Sequence, residues 1–163
     1  MIRAAAYQSE FAAEPHLNLW LGAEPIQEWL HRLAPDAGVE GLVPAWLGWL
    51  TDKGERELVR ERMWPRVGER WIVPLLVCPD DLDFSCTLVV AEVGSTEEEV
   101  TWERIGLDME GTLETSGVNW FGIAPLRFQR GEYLACVGDF LSLVGEQEDE
   151  LGSQDPRNQD RPT

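Results

Sequence analysis

Three β-rich runs decide the fold: "RWIVPLLVC" (70–78), "FSCTLVVAEV" (84–93) and "EVTWERI" (99–105). The first carries Pro74, which lacks an N–H for a sheet ladder and therefore marks an edge strand or a bulge. The second is apolar on both faces, as a strand covered on both sides would be. The third alternates, with Val100, Trp102 and Arg104 on one face and Thr101, Glu103 and Ile105 on the other. Between the last two runs lies "GSTEE" (94–98), a turn composition, so the pair reads as an antiparallel hairpin.

Working outward, "IRAAAY" (2–7) reads as an opening strand, and "LNLWLG" (17–22) alternates weakly in the same sense. "EPIQEWLHRL" (24–33) places Ile26, Trp29, Leu30 and Leu33 at i, i+3, i+4 and i+7, the stripe of an amphipathic helix. "VPAWLGWLTD" (43–52) is expected as a second short helix, apolar around most of its girth and thus buried or covered by a partner. "KGERELVRERMW" (53–64) is a third, ended by Pro65, with Val59 and Met63 on one side. Arg56, Arg60, Arg62 and Arg66 concentrate positive charge along it. Short strands are expected in "VNWFGI" (118–123) and "PLRFQ" (125–129). "GEYLACVGDFLSLV" (131–144) is a final helix, with Gly145 as its stop.

Helices, then strands, then a helix give an α+β fold: a central antiparallel β-sheet with N-terminal helices and a C-terminal helix packed on it. The chain of 163 residues, 44% apolar, suits a single domain over residues 1–145. Residues 146–163 lack aromatics and are strongly polar, which reads as a disordered acidic tail. No apolar run reaches the ~20 residues that span a bilayer. The opening "MIRAAAYQSEF" is too short in apolar residues for a secretory leader, so a cytoplasmic location and no membrane contact are expected.

Thirty acidic residues face 13 basic ones, for a net charge of −17, and all the basic residues but Lys53 are arginine. The 6 acidic and 2 basic residues of 145–163 leave 24 against 11 in the remainder, so the acidity belongs to the body of the chain. Such a body repels nucleic-acid phosphate and attracts a basic protein partner.

Catalytic signatures are missing from the sequence. It has no G-x-S-x-G elbow, no phosphate-binding glycine loop, no H-E-x-x-H and no C-x-x-C. The two histidines, His16 and His31, have no assigned partner, the latter on the polar side of its helix. Cys78, Cys86 and Cys136 are expected to be reduced, with Cys78 and Cys86 as inert strand residues. No catalytic residue, resident metal or cofactor is therefore expected.

"CPDDLDFSC" (78–86) is the densest chemical stretch. Asp80, Asp81 and Asp83 suit a turn, because Pro fixes φ and Asp caps its own backbone. They also suit partner recognition, or a hard cation held by oxygen ligands. Glu97, Glu98 and Glu99 form a second acidic cluster at the opposite end of the hairpin. Eight tryptophans mostly fill the core. Trp102, alternating with charged residues, is the candidate surface anchor.

The segments "VPLLVCPDDLDFSCTLVVAEV" (73–93), "VTWERIGLD" (100–108) and "WFGIAPLRF" (120–128) resemble small bacterial proteins of unassigned biochemistry. The chain is also similar in character to the immunity proteins of bacterial toxin systems: small, acidic, Trp-rich and without catalytic motifs. The resemblance spans about residues 70–130. It implies a non-catalytic binding protein that neutralises a basic, nuclease-like toxin through an acidic surface. That surface would comprise Asp80, Asp81, Asp83, Glu97, Glu98 and Glu99, with Trp102 as anchor. Two alternatives stand beside it. One is a metal-dependent hydrolase using Asp80, Asp81 and Asp83 with a carboxylate such as Glu92. The other is a homo-oligomeric structural protein assembled through Trp46 and Trp49.

Overall fold

The structure, a computed structural model, describes residues 1–9 and 13–153. Its sheets are antiparallel throughout and its helices and strands mix as in an α+β fold, but strands precede the first helix and one lies between the first two, so the expected order of helices, then strands, then a helix is not followed. The hairpin expected from the sequence is its centre. Strand β5 (Arg70–Val77) pairs with β6 (Leu88–Ser95), and β6 with β7 (Glu99–Asp108). The short β4 (Val43–Pro44) extends this sheet beyond β5, while β8 (Val118–Trp120) and β9 (Leu126–Gln129) pair with successive parts of β7. A smaller sheet is built from β1 (Ile2–Tyr7), β2 (His16–Leu21) and β3 (Glu24–Pro25).

Two bulges shape the main sheet. At Pro74 the β5–β6 register slips, and the Trp46 indole N–H donates to the Pro74 carbonyl at 2.7 Å. Proline thus sits where a strand interior tolerates it, and a buried indole finds an acceptor. A second slip falls at Glu103, where Val93 faces Trp102 and Glu92 faces Arg104. An inserted residue reverses the alternation. Val100 and Trp102 point into the core, Ile105 takes up the inward phase, and Arg104 turns outward. The expectation that Arg104 shares a face with Trp102 is corrected by this bulge. Arg104 instead lies 4.1 Å over the ring of Trp120 and 2.9 Å from Glu92.

Helix α1 (Ile26–Leu33) buries Ile26, Gln27 and Leu30, leaving Leu33 exposed. Gln27 is the polar member of that face. It exchanges amide hydrogen bonds with Asn18 of β2 at 2.8 and 3.0 Å and donates to Leu42 O at 2.9 Å. Both buried amides are satisfied, and the pair ties the helix to the small sheet. Helix α2 (Lys53–Met63) begins at Asp52, whose carboxylate caps Glu55 N at 2.8 Å, and it buries Val59 and Met63 as their spacing required.

The helix expected over 43–52 does not form. Val43 and Pro44 join the sheet, Ala45–Leu47 make one 3-10 turn, and Gly48 then takes φ +75°. A Cβ at Gly48 would approach Val144 to 3.0 Å, so the chain reverses against the last helix where only glycine fits comfortably. Burial of Trp46, Leu47 and Leu50 is thereby achieved without a helix.

Helix α3 (Arg130–Ser153) packs on β1 of the small sheet and on β7 and β9 of the large one, which joins the two sheets around a single core. It runs through Gly145, because that glycine does not adopt the left-handed conformation that ends a helix. The boundary expected at 145 therefore falls inside the helix, and the rest of the expected tail, 154–163, lies outside the described residues. No helix among the described residues is long and apolar enough to cross a membrane.

Candidate functional site

Strand β5 ends at Val77 and β6 begins at Leu88, and these two residues pair directly. The chain between them, residues 78–87, is a loop closed at its base by the sheet. Its interior is fixed by its own backbone. Leu82 N donates to Cys78 O at 3.0 Å, and Leu82 takes φ +49°, a left-handed conformation uncommon for a branched residue. Asp83 accepts from the N–H and hydroxyl of Ser85 at 2.9 and 2.6 Å.

Two neighbouring segments hold the loop from outside. Thr51 N donates to Leu82 O at 3.0 Å, just ahead of α2. Phe84 N donates to the Glu55 carboxylate at 3.3 and 3.2 Å, from the first turn of α2. On the other side, Asp108 at the end of β7 is buried and accepts from the N–H groups of Glu110, Gly111 and Leu113 at 3.1, 2.9 and 2.8 Å. The turn this makes lies so close to the loop that a Cβ on Gly111 (φ +68°) would fall 2.7 Å from Phe84 O.

The cysteines are not strand residues, which corrects the sequence reading. Cys78 follows the last residue of β5, and Cys86 precedes β6 and is exposed. The loop folds them together: the sulfurs of Cys78 and Cys86 and a carboxylate oxygen of Asp81 all lie within 4.8 Å of one another. Hydrogen bonding to Asp81, and then to Cys78, holds the Cys86 thiol above its ordinary value. Cys136 is separate, buried on α3, where desolvation and then the charge of Asp139 push its thiol up to about 12.

The three aspartates have different surroundings. Asp83 has its carboxyl held below the usual value by its bonds to Ser85. Asp80 and Asp81 are exposed, and among the described residues no ion pair engages them, Asp83 or Asp52. Glu55 is the carboxylate that joins them from α2. Burial raises its value first, and Asp52 and Asp83 add like-charge repulsion against the lowering effect of Phe84 N. Asp52, Glu55 and Asp108 lay outside the expected site. The short-range signals for two of them were nonetheless in the sequence: Asp52 just before a helical run, and "DMEG" (108–111) with Asp three residues ahead of Gly.

Glu97, Glu98 and Glu99 occupy the β6–β7 turn, at the far end of an eight-residue strand from the loop. They do not join the aspartates in one patch. Trp102 is no surface anchor. It is 1% exposed, donates its indole N–H to Tyr133 Oη at 3.1 Å, and meets the Phe128 ring edge-on at 5.0 Å. The bulge that sends Arg104 outward is what keeps Trp102 inside. The most exposed tryptophans are Trp49 at 37% and Trp64 at 41%, while Trp20, Trp29, Trp71 and Trp120 are half-buried.

His16 is buried on β2, with Nδ1 donating to Leu17 O at 2.9 Å and its ring edge-on to Tyr7 and Trp49. Its Nε2 has no hydrogen-bond partner among the described residues. A recess of about 480 Å³ lies beside it, lined by Leu17, Trp49, Asp139, Ser142 and Leu143 among others. His31 is exposed and lies 3.2 Å from Glu40. Comparison with protein-family models, curated proteins and solved structures found no match for this chain.

Proposed function

We propose that this chain is a non-catalytic binding protein that meets a basic protein partner through the loop end of its main sheet, as an immunity protein meets the nucleic-acid cleft of a nuclease toxin. The observation that carries the reading is the grouping of Asp80, Asp81 and Asp83 with Asp52 and Glu55 at one end of the fold. No cation is paired to the first three or to Asp52 among the described residues. A basic partner supplies the missing charge, and opposite fields speed the encounter. The loop is also braced by the sheet, α2 and the Asp108 turn, so little ordering cost is added on docking. Glu97–Glu99 and Trp102 are left out of this surface.

The test changes charge without touching the braces. Asp80→Lys reverses an exposed carboxylate, and Asp52→Asn removes one while keeping a capping side chain. Partners captured from native cells by the wild-type chain are identified by mass spectrometry, and their association is then timed at low and high salt. A basic partner is expected, with association slowed at least about tenfold in the variant at low salt. An unchanged rate, or a captured partner with no basic surface, would sink the proposal.

A further inference from the structure

We propose that Cys78, Asp81 and Cys86 form a binding site for a thiophilic divalent cation, Zn²⁺ foremost, with two thiolates and one carboxylate as ligands and a fourth position open to solvent. The donor set selects the ion. Mg²⁺ and Ca²⁺ take oxygen ligands and gain little from sulfur, whereas Zn²⁺ accepts both. Zn–S distances of about 2.3 Å and Zn–O of about 2.1 Å put tetrahedral ligand atoms about 3.5–3.8 Å apart. The three atoms here already lie within 4.8 Å of one another. Two of the three side chains are exposed, so their rotamers can close the remaining gap without moving the backbone.

The backbone that presents them is held by other means. Cys78 O takes Leu82 N, Asp83 is engaged by Ser85, and Glu55 by Phe84 N. Asp81 is thus the carboxylate of the loop that faces the thiols and is not committed to backbone. The carboxylates of Asp52, which caps Glu55 N, and of Asp80, neither in an ion pair among the described residues, add an attractive field for a cation at the same end. On binding, the two thiols release their protons to solvent and both sulfurs bond the metal; no electron transfer is involved.

The site does not depend on the docking reading, because its occupancy is read with no partner present. The reduced, metal-free full chain is titrated with Co²⁺, and Zn²⁺ is then added in competition. Stoichiometric uptake is expected, with near-ultraviolet sulfur-to-cobalt charge-transfer absorption that Zn²⁺ abolishes. Cys78→Ser and Cys86→Ser should each lose part of that absorption and weaken binding at least about tenfold. Asp81→Asn should weaken binding while retaining both thiolate contributions. Cys136→Ser should titrate as wild type, and melting curves check that each variant folds. Asp80→Lys with Asp52→Asn should keep the stoichiometry even as it slows a partner. The proposal is overturned if the reduced chain takes up no Co²⁺ and Cys78 and Cys86 merely oxidise to a disulfide. It is equally overturned if the absorption survives loss of both cysteines.

Discussion

The two ends of the β6–β7 hairpin are both acidic, and they are built in opposite ways. At the turn, the Arg130 guanidinium donates to Ser95 Oγ, to Thr96 O at 3.4 Å and to Pro65 O at 3.0 Å, and its backbone N–H to Glu98 O at 2.9 Å, which ties an arginine to the segment that leads into Glu97–Glu99. Arg127 lies 3.9 Å from Glu99, and Arg70 lies 3.5 Å from Glu103 a little further along β7. At the loop, Asp83 and Glu55 are met among the described residues by backbone N–H groups and a serine hydroxyl and Asp80 and Asp81 by no ion pair, while the Arg56 guanidinium donates to Leu50 O and Thr51 O at 2.6 and 3.0 Å. Much of the remaining arginine covers indole faces: Arg3 on Trp20, Arg62 and Arg66 on Trp71, and Arg104 on Trp120. A net charge of −17 is therefore not a uniform coat. Where the arginines are placed decides which carboxylates remain available to something outside the chain.

The largest expected effect lies beneath the turn end. Trp102→Ala removes a buried ring packed on Phe128 and Tyr133 and strips Tyr133 Oη of its donor. A loss of about 3–5 kcal/mol in denaturant unfolding follows from cavity formation of that size. A loss under about 1 kcal/mol would return Trp102 to the surface and undo the contrast. Next comes Arg130→Met, which keeps the aliphatic stem and deletes the guanidinium. Its charged hydrogen bonds support a cost of about 2 kcal/mol, measured in the same way. Charge removal at the loop end by Asp80→Lys should leave the melting temperature nearly unchanged. If Arg130→Met were equally silent, the two ends would not differ in the way described.

How much of this was legible depended on the range of the interactions. The strands expected at 70–78, 84–93 and 99–105 and the helices expected at 24–33, 53–64 and 131–144 all form through period and turn chemistry, which act locally, although the second strand starts at Leu88 because 84–87 belong to the loop. The phase slip at Glu103 did not. One inserted residue opposite Val93 reverses every side chain beyond it, and nothing in "VTWERI" marks it. Trp102 and Arg104 were accordingly placed on one face. The 43–52 segment misled for a related reason: its apolar residues suit any buried backbone, and contact between Gly48 and Val144 of a distant helix chose a turn. At the loop, the turn character of "PDDLD" was legible, but the approach of Cys78 to Cys86 depends on the register of β5 against β6. The arrival of Glu55 depends on where α2 docks.

Glu55 also gives the smallest effect, and one whose sign separates the ends further. Burial raises its carboxyl above 4.5, so the folded chain holds that proton more tightly than the unfolded chain. Stability from this group is fully present below 4.5 and is lost as pH rises through the folded value. Asp83 acts in reverse, because Ser85 holds it below 3.8; its contribution is present above 3.8 and is lost as pH falls through the folded value. Glu55→Gln keeps an acceptor for Phe84 N and removes the titration. Its melting temperature relative to wild type should therefore climb as pH rises from about 4 to about 7, since the wild type alone must then ionise beside Asp52 and Asp83. A difference that stays flat across that range would mean that Glu55 is solvated in the folded chain and the loop end carries no local excess of negative charge. A difference that shrinks as pH rises would mean that a cation stands beside Glu55, and the loop end would then be compensated as the turn end is.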